Sequence, residues 1–302
     1  TNFSLRYSNA GMIADIIAPR IPVAKDSDIY YLYGRQNFRI DDAKRAAGTP
    51  ANQVDALNID STPSYVCEWF ALKDLVTDDD RRNSDAPLNI DVDTTENITE
   101  KILLGREKRV ADLVTALATW GTTGATLSGT QQWNDASFDS DSKTDAIEVR
   151  IDTAKEQVRA AIGADPNTII IPAAVAKVVK RDPEVRELVK YTDNSLLVNG
   201  DLPPRLWNMR VLVPGSIYDS AEEGQTFSGA DVWGKHVVVM YCAPNPRSLK
   251  TMTALLTMEA VARETRRWRK EELKGDYIEV GEKLIEKVVG TYCASVIRSA
   301  IA

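Results

Sequence analysis

The stretch from Asp93 to Gly121, DTTENITEKILLGREKRVADLVTALATWG, is the longest segment with one unbroken periodic signal, and it decides the fold. Ile98, Ile102, Val110, Leu113, Leu117 and Trp120 recur at spacings of three, four or eight, which sets them on one stripe of a 3.6-residue spiral. Asp93 is placed to cap the helix start, Glu96 three residues on completes a capping-box pattern, and Gly121 ends it. About 26 helical residues make a rod of roughly 40 Å, far longer than the usual globular helix. The opposite face carries Glu96, Glu100, Arg106, Glu107, Lys108 and Asp112. Such a rod is a spine, with one side for the core and the other for water or a neighbouring subunit.

Composition sets the bounds around it. With 302 residues, 43% hydrophobic and 27% charged, the chain can bury a substantial core as one large domain or two. No apolar run approaches the length of a membrane span. The first residues, TNFSLRYSNAGMIADIIAPRIP, lack the basic, apolar and small-residue regions of a secretion signal. Thr1 is compatible with removal of Met or with cleavage of a pro-segment. Cys67, Cys242 and Cys293 lie far apart with no C-x-x-C, so reduced thiols are the simpler reading than a disulfide framework or zinc site. A net charge of −7 and a pI near 5.0 exclude a surface that grips nucleic acid generally. The exception is ARETRRWRK, residues 262–270, which reads more readily as a solvated edge strand whose cations discourage aberrant pairing.

Taken in order, residues 1–24 have little pattern, and Pro19 and Pro22 favour extended backbone, so they read as an arm that lies on something else. IYYLYGRQNF (29–38) and YVCEWFALKDLV (65–76) are rich in aromatic and β-favouring residues and predict two long strands. Asp41 to Ser64 between them is polar and turn-prone, which makes the pair an extended hairpin with a long, mobile tip. Both strand faces are apolar, which suits either central strands of a sheet or a projecting arm covered by neighbouring molecules. TDDDRRNSDAPL (77–88) reads as a charged turn, and residues 121–145 as a long surface loop. An α/β texture follows: a helical stripe from Ile147 to Ile162 ended by Gly163, a short strand at 168–171, and short helices after Pro172 and Asp182-Pro183. Strands at Leu206–Val213 and His236–Ala243 flank another long loop, SIYDSAEEGQTFSGAD, and strand-like segments at Tyr277–Val280, Leu284–Val289 and Cys293–Ile297 close the chain.

No arrangement for chemistry emerges. The single histidine, His236, sits in a strand-like run without a nucleophile elbow, and one histidine excludes a multi-histidine metal site. There is no phosphate loop or dinucleotide fingerprint, and the acidic clusters at Asp78–Asp80 and Asp139–Asp141 lack EF-hand spacing. No catalytic, cofactor-binding or metal-binding residue is assigned.

The order of these pieces resembles the major capsid proteins of tailed bacteriophages, the Hong Kong 97-type shell fold. The resemblance rests on ADIIAPRIPVAKDSDIYYLYGRQNFR, YVCEWFALKDLVTDDDRRNSDAPLNI, LGREKRVADLV, NTIIIPAAVAKVVKRDPEVRELVKY and RRWRKEELKGDYIEVGEKLIEKVV, found in the family's order over most of the chain. It implies an α+β fold with an N-terminal arm (1–28), an extended β-hairpin loop (29–76), a peripheral domain with the spine helix (77–146), an axial α/β domain (147–243) and a C-terminal return to the peripheral domain (244–302). It further implies a non-enzymatic subunit without cofactor that assembles as hexamers and pentamers into an icosahedral capsid around double-stranded DNA, bound without sequence specificity. Portal and scaffolding proteins, and a decoration protein, are the partners the family suggests, with assembly in the host bacterial cytoplasm and no membrane. The interface residues it points to are Tyr31, Tyr33, Phe38, Trp69 and Phe70, with Arg35, Arg39, Arg81 and Arg82 as cross-subunit charge partners. The alternatives are an encapsulin-like nanocompartment shell, told apart by its cargo, and a soluble hydrolase built on 147–243 with His236 as base.

Overall fold

The computed structural model describes residues 9, 11–54, 58–84, 88–189, 201–244 and 251–302. Its frame is helix α3, Ile90–Thr115, 26 residues and about 39 Å long. It starts one turn before the predicted Asp93–Glu96 box. Asn89 is the cap, with its side chain accepting from the Val92 N–H, while Asp93 accepts from the Asn89 N–H. The end also differs from prediction. The helix stops at Thr115, and the Trp120 indole N–H folds back on the Val114 carbonyl, so Gly121 lies beyond the helix.

One side of α3 rests on a four-stranded sheet in the order β1-β14-β15-β6, where β1 is Arg20–Pro22, β6 Glu68–Thr77, β14 Leu255–Lys270 and β15 Gly275–Val288. Ile98 and Ile102 of α3 pack there against Val76, Ile278 and Val280. Three corrections follow. The two predicted strands 277–280 and 284–289 are one continuous strand, β15. The strand predicted at 65–76 gives most of its length to β15, Thr77 facing Gly275 and Glu68 facing Leu284, and little to the loop it was expected to pair with. Residues 77–88 begin as helix α2, Asp78–Asn83, because Thr77 and Asp80 form a capping box. Residues 262–270 form the predicted edge strand, since β1 covers β14 only from Thr257 to Glu259.

The C-terminal third of α3 packs on a six-stranded mixed sheet, β7-β16-β13-β8-β10-β9. Its strands are β7 Ala125–Thr126, β8 Thr168–Ile170, β9 Arg205–Leu206, β10 Met209–Leu212, β13 Val237–Met240 and β16 Ala294–Arg298. Side chains alternate between faces. Ile170, Leu212, Val238 and Val296 join the core under α3 with Val110 and Val114. Ile169, Val237, Val239 and Ile297 join a second core with Ile147, Ile151 and Val175. Helices α4 Ile147–Ile162, α5 Ala173–Val179 and α6 Pro183–Val189 cover this sheet. As predicted, Gly163 ends α4 in a left-handed turn (φ +72°), and Asp182 caps α6 through the Glu184 and Val185 N–H groups.

Several expectations shift with this sheet. The last predicted strand, 293–297, hydrogen-bonds into it as β16. The strand 206–213 is a tight hairpin turned at Trp207 and Asn208, both at positive φ. The loop 121–145 is not all surface: Leu127 and Trp133 are 2% and 4% exposed. The loop 216–231 closes at its base as a ribbon of β11 Ile217–Asp219 with β12 Gly229–Asp231. What residues 11–22 lie on is the subunit's own core. Helix α1, Ala14–Ile17, buries Ile13, Ala14 and Ile17 against α3. Residues 1–8, including Thr1, are outside the described residues.

Candidate assembly interface

Between β1 and β6 the chain leaves the sheets as the extended loop. Its two limbs meet in two short ladders, β2 Ser27–Ile29 with β5 Ser64–Val66 and β3 Leu32–Tyr33 with β4 Ile59–Asp60. The strand predicted over 29–38 is therefore broken, and Arg35–Phe38 form a 3-10 turn. At Gly34, the Tyr-Gly break in IYYLYGRQNF, the Asn58 side chain comes within 3.1 Å of where a Cβ would stand.

Among the described residues the loop is the most apolar exposed surface. Twenty large hydrophobic side chains of the described residues are exposed, and ten of them fall between residue 29 and residue 72, two of these, Trp69 and Leu72, in β6 itself. Scattered exposed apolar residues need no explanation, but a concentration on one projecting element marks an interaction surface. Tyr31, Tyr33, Phe38 and Trp69 among the predicted contacts are exposed, at 56%, 48%, 68% and 51%. Arg39 and Arg82 are exposed as well, Arg82 with Asp79 3.4 Å away.

The other three predicted contacts have work inside the chain. Arg35 stacks on the Tyr292 ring, 3.5 Å from its centroid, and ties the loop base to the turn before β16. The ring's other neighbour is Gly121, where a Cβ would fall 2.3 Å from Tyr292, so glycine is required for the ring to sit there. A cavity of about 560 Å³ lies beside this tether, walled by Leu32, Phe38, Ile162, Met252 and Val289. Phe70 lies under the Arg109 guanidinium, 3.7 Å from the ring centroid, and Arg109 also pairs with Glu286 at 2.9 Å. Arg81 binds Asp91 at 2.8 Å and Asp276 at 2.9 Å, fixing the corner between α2, α3 and β15. Arg267 and Arg269 extend that corner to Asp276 and Asp78. Hydrogen bonds from Arg269 and Arg267 respectively hold the Asp78 and Asp276 carboxyls below the usual range.

Sequence inspection placed Arg106 and Glu107 on the water-facing side of α3; both are buried, at 1% and 0% exposure. Arg106 donates to the Ala18 carbonyl and the Thr257 hydroxyl, both at 3.0 Å, and pairs with Asp15. Glu107 accepts from the Ile13 N–H (2.9 Å), the Ala14 N–H (2.8 Å) and the Trp233 indole (2.7 Å). Glu107 thus caps α1, which has no side-chain cap of its own, and fastens it to both the spine and the segment after β12. The signal for Arg106 was present, since it stands four residues from both Ile102 and Val110.

Groups suited to chemistry are used structurally. His236 Nδ1 accepts the Ser299 N–H at 3.0 Å, and burial together with Arg298 lowers its pKa. Burial raises the Cys242 and Cys293 thiols to about 12 and about 11, keeping both protonated and unreactive at neutral pH. Among the described residues no helix is long and apolar enough to cross a membrane.

No protein-family model matches the chain. Its sequence is 28% identical over 243 residues to the major capsid protein of Burkholderia phage BcepMu, covering 80% of this chain and 74% of that protein. It is equally 28% identical over 246 residues to the major capsid protein of Pseudomonas phage JBD67, covering 80% and 75%. These two likenesses support a phage major capsid protein. Solved structures agree on the capsid fold. A phage-related protein from Bordetella bronchiseptica superposes with a TM-score of 0.70 at 21% identity, over 97% of this chain and 94% of that one. The capsid of cyanophage P-SCSP1u gives 0.70 at 11% identity, over 98% and 90%. The chain has an α+β capsid fold, and its relatives indicate a structural, non-enzymatic subunit. His236 is a packing residue in it, not a base.

Proposed function

We propose that this capsid subunit assembles as hexamers and pentamers into an icosahedral shell that encloses double-stranded DNA, and that its extended loop is the arm by which one subunit holds the next. The observation that carries this is the concentration of exposed Tyr31, Tyr33, Phe38, Ile40 and Val66 on one projecting loop, with Trp69 exposed at the start of β6 where the loop returns to the sheet. A two-stranded ladder this short is marginal in water, and burial of its aromatic side chains between molecules would stabilise each by roughly 1.5–3 kcal/mol. In this assignment residues 29–76 are the extended loop, 77–146 with the C-terminal return from 244 form the peripheral domain, and 147–243 form the axial domain. Tyr31, Tyr33, Phe38, Trp69, Arg39 and Arg82 are its contact residues; Arg35, Phe70 and Arg81 set the loop's base and the corner beneath it.

Assembly takes place in the host bacterial cytoplasm with scaffolding and portal proteins, and a decoration protein is a further partner of the finished shell. The net charge of −7 suits a lining that does not hold the packaged DNA by its phosphates. The relatives are phage proteins, which favours a genome over an enzyme cargo as the contents. Deleting residues 41–64 and joining the limbs with a short Gly-Ser linker tests the arm directly. The variant is expected to remain a folded subunit by circular dichroism and to give no closed particles by negative-stain electron microscopy. Particles of normal size from that deletion would remove the arm assignment.

A further inference from the structure

We infer that Arg205 and Arg210, on the hairpin of β9 and β10, form a binding site for a phosphate group of the double-stranded DNA inside the shell. The inference rests on the reading of a DNA-filled capsid, and it adds where the subunit touches the duplex.

The two arginines face each other across the ladder. Directly opposed side chains of an antiparallel pair share a face, with Cβ atoms about 5 Å apart, and like charges there destabilise the pairing. The other described ladders avoid this: Arg266 faces Glu279, Arg269 faces Asp276 and Lys73 faces Glu279. The turn prevents the arginines from slipping out of register. Trp207 and Asn208, at φ 51° and 64°, make a two-residue connection of the kind that matches the twist of its strands. Leu206, opposite Met209, is buried with it in the second core. Alternation along the strands then sets Arg205 and Arg210 on the other face, where both are exposed.

Where two arginines converge elsewhere, the chain supplies the acceptor, as when Arg20 and Arg263 share Glu282. Among the described residues no carboxylate pairs with Arg205 or Arg210, so the acceptor that offsets their repulsion comes from outside the subunit. The surroundings indicate its chemistry. The exposed residues of the hairpin are Pro204, Arg205, Asn208 and Arg210, and no large hydrophobic side chain is exposed among them. A protein partner would bring an apolar centre to the contact, whereas a polar, cationic patch is the composition of a nucleic-acid contact. Arginine forks and asparagine amides are ordinary phosphate donors, and one phosphate has oxygens for both forks. Such a contact reads no sequence. One of them per subunit touches the duplex without gripping it, which leaves the net charge of −7 to keep the rest of the wall unattractive to DNA.

The test uses DNA-filled particles. p-Benzoylphenylalanine in place of the exposed Pro204 is expected to give a DNA-linked subunit on irradiation, detected after nuclease digestion. Adding Arg205→Gln with Arg210→Gln is expected to cut that link at least about fivefold, while Arg205→Lys with Arg210→Lys keeps most of it. The Gln pair is also expected to assemble normally and to melt no lower than the native subunit, because it removes a like-charge repulsion. An undiminished link in the Gln pair, or no link in particles that hold DNA, would overturn the site. Folded Gln-pair subunits that no longer assemble would overturn it too, by assigning the arginines to a neighbouring subunit's carboxylate. Inorganic phosphate that raises the melting temperature of the native subunit but not of the Gln pair, without any DNA link, would assign the site to the free ion and overturn the duplex as its ligand. If native subunits form no DNA-filled particles, the shell reading fails and this site falls with it; if filled particles form and the link is missing, only the site falls.

Discussion

Glu107 shows how one side chain can join three parts of a capsid subunit. Its carboxylate is fully buried and accepts three N–H groups, two from the start of α1 and one from Trp233. Truncation to alanine leaves all three donors without a partner at roughly 1–3 kcal/mol each, so Glu107→Ala is expected to cost more than about 3 kcal/mol. Glu107→Gln retains one acceptor oxygen and is expected to lose about half as much. Urea unfolding of the free subunit, followed by the fluorescence of the buried Trp233, measures both. A loss within about 1 kcal/mol for the alanine variant would mean that α1 is held by its apolar contacts alone. The residue was misjudged from sequence because a charged pair, Arg106-Glu107, was assigned to water by its charge. Helical spacing pointed the other way for Arg106, and the buried partners that make such charges tolerable, Thr257 and Trp233, lie far along the chain.

At the scale of elements, periodicity was legible and pairing was not. The spine, α4 and α6 repeat every 3.6 residues or carry a local stop or start, so their existence is legible in the sequence, while the spine's ends shift by a turn or more. Strand β15 looked divided because Gly281, Glu282 and Lys283 interrupt its apolar residues. Gly281 is there because its face meets Ala71, a Cβ at that point being 3.1 Å from the alanine's own. Glu282 is buried with Arg20 and Arg263, partners supplied by other strands. The acidic turn at 78–80 was likewise unreadable as a clamp, since Asp78 meets Arg269 across 191 residues. That corner makes a pH prediction. The Asp78 and Asp276 carboxyls are held below their ordinary value of 3.8, Asp78 first by its hydrogen bond to Arg269. Their contribution is complete above that value and is lost as pH falls through the depressed folded values. Arg269→Gln lets Asp78 titrate nearer 3.8, so the acid transition of the β14–β15 tip is expected to move to higher pH. Trp268, 5.6 Å from Tyr277 in that tip, reports it by fluorescence. A transition that stays put or moves lower would show that the Asp78–Arg269 pair does not hold the corner.

The whole molecule is two sheets fastened to opposite ends of one helix, with an apolar loop projecting from the junction and an excess of negative charge. Identical subunits of charge −7 repel at long range and must still come into contact. Twice the radius of gyration expected for this length puts neighbouring centres about 40 Å apart, where the unscreened repulsion in water is roughly 5 kcal/mol per pair. A Debye length near 30 Å at 0.01 M salt leaves about 1 kcal/mol of it, and one near 10 Å at 0.1 M leaves almost none. Contacts made between subunits act over about 4 Å, where such screening changes little. Raising salt from about 0.01 to 0.1 M is therefore expected to increase assembly, because it removes repulsion and spares the contacts. Light scattering at fixed subunit concentration across that range measures the sign. Assembly that falls over the same interval would mean that long-range attraction between oppositely charged patches outweighs the net charge, and that steering, not contact, governs how the subunits meet.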